Sequence, residues 1–122
     1  MSFLGIDYGQ KFCGIAWSPD GVTVLPLQII KTEIFPDALI ALIAEKKITT
    51  LVWGMPKNID GEKNPLGKKI QLLGKKFSTE NFFIDEKLTS RIARENTSSS
   101  SNRIDDLAAM EILKSHLNTQ IF

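Results

Sequence analysis

Phe3-Leu4-Gly5-Ile6-Asp7, Cys13-Gly14-Ile15-Ala16-Trp17 and Val22-Thr23-Val24-Leu25 open this 122-residue chain as three short apolar runs. Each is bounded by turn chemistry: a tight turn through Gly9 after the first, Asp20-Gly21 before the third. Runs of this length with such punctuation read as strands, and gaps this short permit only antiparallel connections. The chain therefore starts as a three-stranded meander, with Ile29 and Ile30 able to prolong its third strand beyond Pro26.

Beyond the meander the pattern changes. Pro36 opens a segment where Leu39, Ile40 and Ile43 recur at helical spacing, and Lys46-Lys47 stand where cations suit a helix end. Thr50-Leu51-Val52-Trp53 then reads as a strand ending at Gly54. Asn64-Pro65 supplies a cap and first turn for a helix with Leu66, Ile70, Leu73 and Phe77 along one face and Lys68, Lys69, Lys75 and Lys76 on the other. Phe82-Phe83-Ile84 makes a last strand ending in Asp85-Glu86. A short helix over 89–95, a loop at Ser98 to Ser101 and a final helix capped by Asn102 complete the order.

A meander followed by βαβαβ predicts an α/β fold with a mixed five-stranded sheet, its later strands parallel, and helices on both faces. This count and order fit an RNase H-like architecture. A doubly wound fold would alternate strand and helix from the start. With no repeat and no internal boundary, residues 1–122 read as one domain, large enough to bury a core without staples.

Composition narrows the function classes. A chain 43% hydrophobic and 24% charged is that of a globular protein rather than a disordered one. The single cysteine, Cys13, excludes an intrachain disulfide and reads as a small core residue. No apolar run reaches the roughly 18 residues of a membrane span, and no secretory leader is evident, so a cytoplasmic address with no membrane partner is expected. The net charge of +1 advertises no polyanion binding, so any such contact must come from local clusters.

The chemistry-bearing residues are acids at strand ends. Open α/β sheets bind ligands beyond the carboxyl ends of their strands, where Asp7 and Glu86 fall together. The final helix adds Asp105 and Asp106 in its first turn, beside Ala108 and Ala109, which permit close packing. Converging carboxylates repel one another unless a cation lies between them, and hard oxygen ligands suit Mg²⁺ or Mn²⁺. Two such ions roughly 4 Å apart activate a water and stabilise the leaving oxygen in phosphodiester hydrolysis, so no Ser, Cys or His nucleophile is needed.

Each acid also has an ordinary reading. Asp7 suits a strand-ending turn, Asp85-Glu86 a polar strand exit, and Asp105 the third position of a helix capped by Asn102, where it would meet the helix dipole. Only the three positions together point to a metal site. Lys11, Lys57, Arg91, Arg94 and Arg103 lie near these acids or strand ends and are candidates for holding a phosphate backbone. The helix starts near Asn64 and Ser90 could add backbone N–H donors. The lysines of the second helix read first as a solvated face, although their density also suits phosphate. His116, the one histidine, is a packing or surface residue rather than a general base, and Trp53 belongs to the core.

Four stretches resemble motifs of the YqgF/RuvX family. Gly5-Ile6-Asp7-Tyr8-Gly9-Gln10-Lys11 followed by Gly14-Ile15-Ala16 is similar to its first motif. Val52-Trp53-Gly54-Met55-Pro56-Lys57-Asn58-Ile59-Asp60-Gly61 is similar to a loop bordering its active site. Asp85-Glu86-Lys87-Leu88-Thr89-Ser90 and Ile104-Asp105-Asp106-Leu107-Ala108-Ala109 resemble its third and fourth. The family comprises Holliday junction resolvases and nucleases maturing the 5′ end of pre-16S ribosomal RNA. The resemblance implies Asp7, Glu86 and Asp105 as catalytic, metal-holding acids, selecting Asp105 over Asp106. It further implies a nucleic-acid surface that includes Asn58, Lys87 and Ser90.

Three departures stand out. Lys87 replaces the family's Arg, exchanging a planar fork for a point charge. Phe12 replaces a basic residue. The usually basic loop before the last helix is here Thr97-Ser98-Ser99-Ser100-Ser101-Asn102, followed by Arg103.

The leading expectation is thus a Mg²⁺- or Mn²⁺-dependent endonuclease acting on precursor ribosomal RNA or branched DNA, able to meet ribosomal assembly particles, as a monomer or weak homodimer. A non-catalytic nucleic-acid or ribosome-assembly module on the same fold is the alternative. An actin-like phosphotransferase, which also uses a D-x-G turn, would need paired domains that 122 residues do not supply.

Overall fold

Six consecutive buried residues make β1 (Phe3–Tyr8) the middle of the sheet. The computed structural model describes residues 2–55, 65–85 and 101–121, of which 65, 66, 85, 101–106 and 119–121 are placed by backbone alone. β1 pairs antiparallel with β2 (Phe12–Ser18), which pairs antiparallel with β3 (Leu25–Lys31). On its other side β1 runs parallel to β4 (Thr50–Met55), and β4 parallel to β5 (Glu80–Asp85). The order β3-β2-β1-β4-β5 is the mixed sheet expected from a meander followed by βαβαβ.

Strand alternation divides the interior into two cores. Leu4, Ile6 and Tyr8 face one way, packing with Ile15, Leu51 and Trp53 beneath α1 (Phe35–Lys46) and α2 (Pro65–Gly74). Phe3, Ala16 and Val52 face the other, against Ala109, Ile112 and Leu113 of α3 (Ser101–Ile121). Helices therefore cover both faces. Trp53 is fully buried, between the rings of Phe35 at 5.9 Å, Phe77 at 6.2 Å and Phe83 at 6.5 Å. Its indole N–H donates to Asn81 Oδ1 at 3.0 Å, which satisfies the one polar atom that burial would otherwise strand. Cys13 is likewise a fully buried core residue.

Four sequence expectations shift. The second helix ends at Gly74, a residue type that disfavours helix interiors, so Lys75, Lys76 and Phe77, expected on it, follow in the turn beyond. Val22 to Val24 precede the third strand rather than forming it. The cause is Asp20, whose carboxylate accepts from the backbone N–H of Thr23 at 2.7 Å and of Val22 at 2.9 Å, and from Thr23 Oγ1 at 3.1 Å. Donors engaged by a side chain are not offered to a strand partner, and these bonds hold the Asp20 carboxyl below its ordinary range. β3 begins at Leu25 and contains Pro26, tolerated because β3 is an edge strand with a register shift opposite Ile15/Ala16.

In α1 the buried residues are Phe35, Leu39 and Leu42, whereas Ile40 is 57% exposed. The helix starts after a single 3₁₀ turn (Thr32–Ile34), and the phase set by Phe35 turns Ile40 outward. Lys46 at its end lies over the Trp17 ring at 4.2 Å. Finally, α3 starts at Ser101, so Asn102 is its second residue instead of its cap. Ser and Asn are equally good starting residues, and their order alone cannot place the boundary.

His116 packs as expected of a core residue. It is 7% exposed, with its ring centroid 4.5 Å from that of Phe82 and 6.1 Å from that of Phe3. Its buried Nε2 has no hydrogen-bond partner among the described residues, and burial lowers its pKa from the ordinary 6.5. Between the lowered folded value and 6.5, the unfolded chain binds a proton that the folded chain does not. Stability should therefore fall as pH drops through about 6.5 and level off once the folded pKa is passed. His116→Phe, which keeps an aromatic ring there, should flatten this part of the curve. Urea midpoints from pH 7.5 to 5 would check it, and identical slopes for both proteins would count against it.

Candidate active site

β1, β4 and β5 all run the same way, so their carboxyl ends share one edge of the sheet. Asp7 stands on that edge, next to the last residue of β1, and is 3% exposed. By strand alternation Asp7 shares the face of Phe3 and Gly5, the face covered by α3. Its neighbour across β2 is Gly14, which presents no side chain beside the carboxylate.

Two glycines let α3 lie close to this edge. A Cβ on Gly5 would come 2.7 Å from the Ala109 carbonyl oxygen and 2.8 Å from Leu113 Cβ. A Cβ on Gly54 would overlap the Ile112 side chain. Both glycines fall within the family-like motifs, where hydrophobic pattern and charge give neither a role. The signal for them is that an isolated Gly in a strand marks a close backbone approach.

The same contacts give α3 its direction. Phe3 lies against His116, and Gly5, two residues further along β1, against Leu113 and Ala109. Moving toward the carboxyl end of β1 thus moves toward the start of α3. From Gly5 to Asp7 is about 6.6 Å of strand, and from Ala109 back to position 105 is about 6 Å of helix. Position 105 therefore stands level with Asp7 on the facing element. Because α3 starts at Ser101, position 105 is its fifth residue, beyond the first turn where a carboxylate best serves the helix dipole.

On β5, Phe82 and Ile84 belong to the α3 side, while Phe83 and the register pair Met55↔Asp85 belong to the other. Position 85 is therefore not on the face of Asp7. Glu86, Lys57, Asn58, Lys87, Ser90, Arg91 and Arg94 lie outside the described residues, as do Asn64 and the helix expected over 89–95. Arg103 is placed by backbone on the first turn of α3, and Lys11 is exposed in the β1–β2 turn. Among the described residues no group of three or more His, Cys, Asp or Glu is gathered as metal ligands, and no helix is long and apolar enough to cross a membrane.

A family model described as "RuvX: Holliday junction resolvase" matches residues 1–119. The chain belongs to the RuvX family. This membership makes it a nuclease, a hydrolase of phosphodiester bonds. A RuvX relative from Lacticaseibacillus casei, named "Putative pre-16S rRNA nuclease", is 30% identical over 98% of this chain and 96% of its own length. Another of the same name from Clostridium perfringens is 31% identical over 97% of each. The RuvX fold is also that of Fowlpox virus resolvase, solved with its substrate Holliday junction DNA, at a TM-score of 0.64, 12% identity and full coverage of both chains. At that identity the likeness speaks for the fold alone.

Proposed function

We propose that this RuvX-family protein is a metal-dependent endonuclease that matures the 5′ end of 16S ribosomal RNA precursors, with Asp7, Glu86 and Asp105 as its catalytic acids. The observation that carries the reading is the buried Asp7 at the carboxyl edge of β1, facing a helix whose position 105 stands level with it. Position 85 is turned to the other face, so the second acid of the set is Glu86 as the family motif implies, and not Asp85.

Carboxylate oxygens alone are a hard donor set, which fits Mg²⁺ or Mn²⁺ and not a soft thiophilic ion. When bound, such ions supply an activated water and neutralise the charge that develops on the leaving oxygen. The protein's part is to hold the acids on rigid elements. Asp7 is fixed in the central strand, and the small residues Gly5, Gly54, Ala108 and Ala109 let α3 bring position 105 close. Lys11, Lys57, Asn58, Lys87, Ser90, Arg91, Arg94 and Arg103 would grip the phosphate backbone around the cut. A bacterial cytoplasm is the compartment this substrate implies, since the named relatives are bacterial.

The test pairs two labelled substrates, an RNA carrying the 16S 5′ precursor and a four-way DNA junction, with Mg²⁺, Mn²⁺ or chelator. Metal-dependent cleavage of the RNA at the mature end, abolished by chelator, is the expected result. Cleavage of the junction alone would move the substrate to branched DNA. Binding of either without any cleavage would establish the non-catalytic module instead.

A further inference from the structure

The lysines of α2 and of the turn that follows it form a feature that the carboxylate site does not use. Between Glu62 and Glu80 the sequence contains no acidic residue, while Lys68, Lys69, Lys75 and Lys76 are all exposed. They surround Leu72, itself 62% exposed, at the i±3 and i±4 positions. Among the described residues no carboxylate pairs with any of the four. An ordinary solvated helix face intersperses Glu and Lys at these spacings. Here like charges stand together: Lys68 and Lys69 occupy the N-terminal half of α2, where cations oppose the helix dipole, and only Lys75 and Lys76, just past its end, suit it. Such an arrangement is unfavourable for the isolated helix and favourable once a polyanion lies against it.

The position of the stripe connects it with the site. Lys69 Nζ lies over the Tyr8 ring at 5.6 Å, and Tyr8 follows Asp7 at the carboxyl end of β1. At the other end of α2, Gly74 lies beside Phe83 and Asn81, near the start of β5. The lysines thus begin at the acid-bearing edge and run about 10 Å down the opposite face of the sheet.

We propose that this stripe is a phosphate-binding track that carries the nucleic-acid backbone away from the cleavage site. The proposal rests on the nuclease reading and adds to it a surface on the side of the sheet opposite α3. The charges match a phosphodiester backbone in sign, and in a chain with a net charge of only +1 this acid-free stretch is a local positive patch. The track also supplies cations to a chain whose sequence 97–102 offers serines, threonine and asparagine where the family motif is usually basic.

The full chain, in chelator to prevent cleavage, would be titrated with the labelled precursor RNA and the four-way junction across 50 to 200 mM salt. Lys68→Gln/Lys69→Gln/Lys75→Gln/Lys76→Gln would be compared with Lys47→Gln/Lys114→Gln, which removes exposed lysines at the end of α1 and on α3. Each phosphate that is no longer neutralised lowers the slope of log K against log salt by about 0.7–0.9, so four should lower it by about 3. Wild-type affinity should then fall about 60-fold more than the quadruple variant's over that salt range, with the control unchanged. Steep wild-type salt dependence that persists in the quadruple variant would overturn the track while leaving the nuclease reading intact. No wild-type binding to either nucleic acid would overturn both.

Discussion

Replacing Asp7 with Asn should lower cleavage by about 10³-fold or more while leaving thermal stability unchanged or slightly raised. The substitution keeps the shape of a side chain that is 3% exposed, removes its charge and turns one acceptor oxygen into a donor. A metal-holding carboxylate contributes several kcal/mol to the stabilisation of the transition state, and about 4 kcal/mol corresponds to that factor. Burial makes a carboxylate costly to keep ionised, and removing the charge offsets what the amide loses as an acceptor, so the fold is kept. The opposite signs separate the two readings of Asp7. A residue that merely ends a strand would show a lower melting temperature with turnover per folded molecule intact. Cleavage and thermal melting on the same preparations decide between them. Activity within tenfold of wild type would remove Asp7 from the mechanism.

Gly5→Ala should destabilise the protein by roughly 3 kcal/mol, lowering the melting temperature by roughly 10 °C. A Cβ placed 2.7 Å from the Ala109 carbonyl and 2.8 Å from Leu113 Cβ meets helix backbone on one side and a buried side chain on the other. Neither can swing away, so α3 must shift outward. Because position 105 rides on that helix, cleavage at a temperature where the variant is still folded should fall as well. Gly21→Ala is a different case: Gly21 has a φ of +81°, and the strain there falls on a turn beside the Phe3 ring at the amino end of β1, away from Asp7. Comparable melting decreases in both, with activity abolished only in Gly5→Ala, would identify α3 docking as the link. A Gly5→Ala protein with wild-type melting and cleavage would show that α3 does not depend on this packing.

Much of the fold is readable along the chain. Short apolar runs separated by Gly9 and Asp20-Gly21 announce a meander because turn chemistry acts within a few residues, and the gaps leave no room for a crossover. The crossover helices after β3 and β4 are likewise legible from their spacing and from Pro36 and Pro65. Hydrophobic pattern misplaces Val22 to Val24 because a single carboxylate, Asp20, takes the donors of Val22 and Thr23, an effect the pattern does not contain. It also turns Ile40 inward, because a helix pattern defines a stripe whose phase depends on where the helix actually begins.

The candidate acids show the same division. Asp7, Glu86 and Asp105 are recognisable as residues in motifs, each with an ordinary competing role. Sequence by itself determined the identity of these acids, the order of the strands and the sign of the charge on α2, since all of these are carried by single residues and their near neighbours. Tertiary structure decided that Asp7 faces α3, that position 105 stands level with it, that position 85 falls on the other face, and that the lysines of α2 start at the same edge. The reason is physical. Strand alternation divides residues into two sets, but which set meets which helix is decided only when Gly5 and Gly54 let α3 close on the sheet and pack residues distant in sequence into one core.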